Sequence, residues 1–173
     1  MDLGPELPQV YLQPGEIYVA RSPAILRTVL GSCVGVTFWT QRLGVGALCH
    51  AVLPRRPRDF PSRLQSSDSY RYVDYCISDL VRQLEELGAF RAELQVKLFG
   101  GADVLPVRSE PSLRETVGRQ NWQVALEVLE DESLDVMASD LGGTHGRTIQ
   151  FHTGTGEVLL RRLAKPEFEN DSE

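Results

Sequence analysis

Two residues of this chain could together open an amide or an ester. Cys33 stands at the end of Thr28-Val-Leu-Gly-Ser-Cys33, and His50 lies within Gly-Ala-Leu-Cys-His50-Ala-Val-Leu-Pro. A thiol attacks a carbonyl carbon as its thiolate, and a neighbouring imidazole lowers the thiol pKa and accepts the proton. Gly31 and Ser32, just ahead of the cysteine, are small. They would let a substrate carbonyl approach the backbone, where N–H groups could stabilise the developing oxyanion. On this reading Cys33 stays open to alkylation below about pH 8.5, where an ordinary thiol stops reacting. The same pair is also what two ordinary core residues look like, because free cysteine is among the most buried residue types.

The elements around the pair decide whether it can meet. CVGVTFW and VGALCHAVL are rich in β-branched and aromatic residues and read as consecutive strands. A turn at residues 40–43 would leave Cys33 and His50 each seven positions from its edges, and so opposite each other in an antiparallel hairpin. The spacing permits a dyad without requiring one. Cys49 should face away from His50 on the same strand, and Cys76 falls in an amphipathic helix, so both read as core. His145 lies in a glycine turn and His152 ends a strand, and no metal-ligand spacing links them.

Further strands are expected at EIYVA and AILRTVL before the pair, and at ELQVKLF and LDVMASD after it. A hairpin, RTIQFH and EVLLRRL, closes the ordered part through Thr153-Gly-Thr-Gly156. The clearest helix carries Val73, Ile77, Leu80, Val81, Leu84 and Leu87 at spacings of three and four, with Gly88 as its left-handed cap. A second helix covers Arg119 to Glu130, with Trp122, Ala125, Leu126 and Leu129 on its apolar side. Residues 54–71 hold three prolines, five arginines and four serines and read as a loop, either a solvated one or a lid facing substrate. Clustered strands with two helices predict an α+β domain, helices packed on sheet. Residues 1–14 are expected to be irregular, 15–164 to form the domain, and 165–173 to be a disordered acidic tail.

Composition narrows the function classes. A formal net charge of −6 argues against nucleic-acid binding. No apolar run reaches the roughly 20 residues that span a bilayer, and the acidic, proline-broken start is unlike a secretory signal. The expectation is a cytoplasmic protein with no membrane insertion. Three cysteines without a CxxC pair argue against a disulfide framework and a closed zinc site.

In order, the motifs PGEIYVA, TVLGSCVGV, GALCHAVLP, YVDYCISDLVRQLEELGA, FGGADV, VGRQN and DLGGTHGRTIQFHTGTGEVLLRR resemble those of the chemoreceptor glutamine deamidase family, CheD. The resemblance implies a layered α/β/β sandwich of mixed sheets, with a cysteine-hydrolase site similar to that of bacterial toxin deamidases. It implies hydrolysis of glutamine side chains on the cytoplasmic helices of methyl-accepting chemotaxis receptors, through a thioester and without metal or cofactor. Some members also hydrolyse receptor methyl esters, and some bind a CheC-type phosphatase that competes with receptor. By position, Cys33 matches the family nucleophile and His50 the general base. Thr28 is the candidate for the threonine that orients the histidine. An offset of one residue would instead put Arg27 there, which cannot accept an imidazole N–H. Gly100, Gly101, Gly118, Asn121, Gly142 and Gly143 match positions that shape turns and site walls rather than move protons. Two other readings remain: a regulatory binding module with weak or no catalysis, and a thiol hydrolase of another amide or ester.

Overall fold

The computed structural model describes residues 6–61, 63, 64, 66–105 and 115–164. Its strands are β1 (Gln9–Tyr11), β2 (Ile17–Ala20), β3 (Ile25–Leu30), β4 (Val34–Thr40), β5 (Val45–Ala51), β6 (Gln95–Gly100), β7 (Val136–Leu141), β8 (Arg147–His152) and β9 (Val158–Arg162). Two α-helices, α1 (Val73–Glu86) and α2 (Val117–Asp131), follow β5 and β6. A five-stranded sheet runs β2-β5-β4-β6-β7 and a four-stranded sheet runs β1-β3-β8-β9. Both are mixed, since β1–β3 and β6–β7 pair in parallel while the other pairs are antiparallel.

The three layers follow from where the apolar faces go. Val73, Cys76, Ile77, Leu80, Val81 and Leu84 of α1 pack with Val34, Val36, Phe38, Ala47, Cys49 and Ala51 on one face of the larger sheet. The other face buries Leu48 and Phe99 against Leu26, Leu30, Ile149 and Phe151 of the smaller sheet. The order is therefore helices, sheet, sheet, the α+β sandwich expected from the sequence. Because β5 is covered on both sides, all seven of its residues are buried, which hides the period-2 alternation an open strand would display. In β3 the alternation is plain: Leu26, Thr28 and Leu30 point inward, while Arg27 and Val29 are exposed. Burying each large apolar side chain in these two cores contributes about 1.5–3 kcal/mol.

Four local features differ from the sequence expectations. Residues 1–14 are not irregular throughout. Val10 pairs with Leu26 in β1, and Leu12 is 1% exposed in the inter-sheet core. The β4–β5 turn occupies residues 41–44, because Thr40 is buried and pairs with Val45. Gly44 completes that turn at a φ of +62°. In α2 the buried stripe is Gly118, Asn121, Val124, Ala125, Val128 and Leu129, with Leu126 exposed. Finally, the arginine-rich stretch holds a 3-10 helix, Ser66–Arg71, and leans on the helices. Arg56 donates its backbone N–H to Asp74 (2.9 Å) and stacks over Tyr75, and Arg55 pairs with Glu127. The expected acidic tail at 165–173 lies outside the described residues.

Candidate active site

Cys33 sits in the turn between β3 and β4, where the chain passes from the smaller sheet to the larger one. The hairpin register sets Gly35 opposite His50. Cys33 lies just ahead of β4, two residues before Gly35, rather than directly opposite His50 as the spacing predicted. The reason is the turn, which starts one residue later than expected and shifts the pairing by two. Both residues face the inter-sheet layer: Cys33 packs on its core cluster, and a Cβ on Gly35 would meet Leu30 and Ile149 there. Cys49 faces the opposite way, into the helix-side core, as expected.

Thr28 reaches this layer from β3. Its Oγ1 lies 2.6 Å from His50 Nδ1 and donates to the Leu12 carbonyl at 2.9 Å. A hydroxyl has one hydrogen, and that hydrogen is committed to Leu12. The Thr28 oxygen must therefore accept from the imidazole, which puts the ring proton on Nδ1 and leaves the Nε2 lone pair free. His50 Nε2 is buried with no hydrogen-bond partner among the described residues. Arg27 is exposed on the outer face of the same strand, so the alternative offset does not meet the histidine. The Leu12 acceptor comes from the segment expected to be irregular, and nothing in its sequence marks that carbonyl.

Burial sets the charge state of the pair. His50 is 2% exposed, and desolvation pushes its pKa down from the ordinary 6.5 to about 4, against the raising influence of the Leu12 carbonyl and Glu16. Burial likewise pushes the Cys33 thiol up, only partly offset by a backbone hydrogen bond. The resting pair is therefore a neutral thiol with a neutral imidazole, and the expected depressed thiol pKa is absent. The physical reason is that both groups lose water on the same side. His50 is placed to accept a proton during attack rather than to hold a standing thiolate.

The Cys33 turn is held from behind by three donors. Ala102 N–H donates to the Gly31 carbonyl (2.9 Å) and Gly101 N–H to the Cys33 carbonyl (2.8 Å). The buried side chain of Asn121 donates through Nδ2 to both the Ser32 and Val52 carbonyls, each at 2.9 Å. Neither Ser32 N–H nor Cys33 N–H donates to another described residue, and Cys33 N–H interacts with its own sulfur. Gly100 must be glycine: its φ is +107°, and a Cβ would stand 2.2 Å from the Cys33 carbonyl oxygen. Gly118 is needed for a close approach, since its Cβ would stand 2.6 Å from the Ala102 carbonyl oxygen. Gly31, by contrast, has room for a methyl group against Val104 at 3.5 Å. Arg147, 2% exposed, braces the same turns by donating to the carbonyls of Gly100 (3.1 Å), Asp140 and Gly142.

Beside Ser32 opens a groove of about 340 Å³, lined by Val52, Leu53, Ala102, Val104, Leu105 and Val117 among others. Leu105 and Val117 are 77% and 45% exposed, so its rim offers apolar surface to a partner. No cluster of three or more potential metal ligands occurs among the described residues.

Arg147 was missed by sequence reasoning, and Asn121 was placed only as a site wall. A buried cation bonded to carbonyls leaves no periodic signature. Asn121 did leave one, as a polar residue on the buried stripe of an amphipathic helix. His145 and His152 stay away from the pair: His145 Nδ1 stands 3.4 Å from the Thr144 hydroxyl, and His152 Nδ1 accepts from Gly154 N–H.

Known proteins share this chain's sequence along nearly its whole length. Residues 52–162 match the family described as CheD chemotactic sensory transduction. That match begins just after His50, so the site turn is covered by relatives instead. A protein of Geobacter sulfurreducens named probable chemoreceptor glutamine deamidase CheD 2 is 45% identical over 163 residues, 94% of this chain and 95% of its own. Proteins named probable chemoreceptor glutamine deamidase CheD from Maridesulfovibrio salexigens and Pseudomonas savastanoi pv. phaseolicola are 38% and 37% identical over 164 residues each. They cover 94% and 95% of this chain, and 96% and 90% of their own. Matches of that identity over that length, on a layered sandwich carrying the family's ordered motifs, have one reading: the chain belongs to the CheD family.

Proposed function

We propose that this protein hydrolyses glutamine side chains on chemoreceptor helices to glutamate, with Cys33 as nucleophile, His50 as general base and acid, and Thr28 as the residue that orients His50. The observation that carries the proposal is the 2.6 Å contact of His50 Nδ1 with Thr28 Oγ1, whose own hydrogen is assigned to the Leu12 carbonyl. It leaves an unpartnered Nε2 lone pair on the face that Cys33 shares. A histidine that were mere core filling would have both nitrogens satisfied.

The reaction then follows in two displacements. His50 Nε2 takes the thiol proton as Cys33 Sγ bonds to the side-chain carbonyl carbon of the glutamine, and the carbonyl electrons move onto oxygen. The N–H groups of Ser32 and Cys33 receive that oxyanion. As the carbonyl re-forms, the carbon–nitrogen bond breaks, the departing nitrogen takes the proton from His50, and ammonia leaves behind a thioester on Cys33. His50 next takes a proton from water as its oxygen attacks the thioester. Collapse expels the Cys33 sulfur, which recovers the proton, and the carboxylic acid ionises to glutamate. Each event adds one negative charge to the receptor.

The apolar groove with Leu105 and Val117 on its rim supplies the surface on which a receptor helix would lie. Receptor glutamines of this kind lie on the cytoplasmic side, and we assign the protein to that compartment. No described helix is long and apolar enough to cross a membrane. Some members of the family bind a CheC-type phosphatase that competes with receptor, and such a partner would meet this same face.

The test is ammonia release and peptide mass from a receptor cytoplasmic fragment incubated with the protein and with Cys33→Ala. Amide-to-acid conversion that depends on Cys33 supports the deamidase. A folded wild-type protein that binds receptor or phosphatase equally well with Cys33→Ala, and converts nothing, would leave a binding module instead.

A further inference from the structure

Three successive carbonyls of the site turn are each held by a donor. Gly31, Ser32 and Cys33 each accept a hydrogen bond from the wall behind them: from Ala102 N–H, Asn121 Nδ2 and Gly101 N–H respectively. In a trans peptide the C=O and the N–H of the next residue point in opposite directions. Turning the Gly31 carbonyl inward therefore turns Ser32 N–H outward, and turning the Ser32 carbonyl inward turns Cys33 N–H outward. Those are the two N–H groups that donate to no other described residue. Two of the three holding donors are backbone. Only the one on the Ser32 carbonyl, whose peptide carries the Cys33 N–H, is a side chain.

We propose that Asn121 is the positioning residue that aims the Cys33 N–H as an oxyanion donor. Its amide cannot be turned round, because Nδ2 faces two carbonyl oxygens and an Oδ1 placed there would be repelled by both. One hydrogen goes to the peptide before Cys33 and the other to Val52, two residues after His50. The same amide thus fixes the nucleophile's turn against the strand that carries the base. Asn121 is fully buried and its Oδ1 has no partner among the described residues. A buried amide that leaves its oxygen unsatisfied gives up stability at that atom, so retaining one for packing alone has no advantage over an apolar residue of similar volume.

The inference rests on Cys33 being the nucleophile, and it is tested in a way that separates the two. Iodoacetamide alkylates a thiol by displacement at saturated carbon and forms no oxyanion, whereas p-nitrophenyl acetate acylates it through one. The ratio of acylation to alkylation rate at Cys33, with no receptor present, reads the oxyanion donors alone. In the full-length wild-type protein this ratio should exceed that of a free thiol such as glutathione. In Asn121→Ala it should fall by about 10²-fold, the scale for losing one oxyanion donor, with alkylation changed little. Asn121→Ser, which keeps one hydroxyl donor, should lie between the two. A raised wild-type ratio left within about threefold by both variants would overturn the role of Asn121 while leaving the nucleophile standing. A wild-type ratio no higher than that of glutathione would remove the oxyanion donors themselves, and the deamidase reading with them. Failure of both variants to fold would make Asn121 a structural clamp and overturn the positioning role.

Discussion

Cys33 and Cys49 are both thiols beside His50, and they live on opposite faces of one sheet. Cys49 is adjacent to His50 in sequence, is fully buried, and packs against α1 with Cys76, whose Sγ donates to the Tyr70 carbonyl. Cys33 is seventeen positions away, yet it shares the histidine's face and sits in a turn whose carbonyls are all held from behind. Proximity in sequence therefore says little about chemistry here. What separates the two thiols is the direction in which a strand residue points, and whether the backbone around it has donors to spare. The inter-sheet face has an imidazole nitrogen with no partner among the described residues, and the Cys33 turn has two N–H groups that donate to no other described residue.

The contrast breaks most sharply at Cys33. Cys33→Ala should abolish receptor deamidation, a loss of at least about 10⁴-fold in kcat, measured by ammonia release. Cys49→Ala and Cys76→Ala should each retain wild-type turnover. Turnover surviving in the first, or lost in a folded example of the others, would erase the distinction between the faces.

The base comes next. His50→Gln should lower kcat by about 10²–10⁴-fold, the range of a lost general acid–base. It should also flatten the acid dependence of stability, and the sign is fixed by its pKa. The folded value of about 4 lies below the ordinary 6.5, so the unfolded chain binds the extra proton between those pH values. Stability is therefore full above about pH 6.5 and falls as pH drops towards 4, by at most about 3 kcal/mol from this group. Denaturant midpoints across that window would show the slope in the wild type and its reduction in the variant.

Thr28 sharpens the comparison further. Thr28→Val keeps shape and removes the oxygen that holds Nδ1–H, and should cost about 10- to 100-fold in kcat with KM little changed. Thr28→Ser should stay within a few-fold, since the hydroxyl is what matters. The smallest effect belongs to the helix-side thiols. Cys49→Ala should destabilise by about 1–2 kcal/mol through the cavity it leaves, read as a lower thermal midpoint.

Much of this was legible in the chain because period and punctuation carry it. The strands from Glu16 to Leu53, the stripe and glycine cap of α1, and the closing hairpin all follow apolar spacing and turn residues. The Cys33–His50 pairing was visible as a possibility, but its register was misplaced by two. Thr40 looks like a turn residue and is instead buried and paired with Val45. Thr28 could be named only through the resemblance, although a threonine between two inward leucines of β3 was itself a signal. The Leu12 carbonyl and the Arg147 brace were out of reach, since they join backbone and side chains far apart in sequence. Long-range polar contacts of that kind follow from the packed layers, and nothing in local spacing encodes them.

The central claim is that the reaction passes through a thioester on Cys33, and hydroxylamine tests it most directly. Added during turnover with a receptor fragment, it competes with water for the thioester and should convert part of the product at the modified glutamines to hydroxamate. That hydroxamate should disappear with Cys33→Ala. Glutamate formed at an unchanged rate by Cys33→Ala, with no hydroxamate at any hydroxylamine concentration in the wild type, would contradict it.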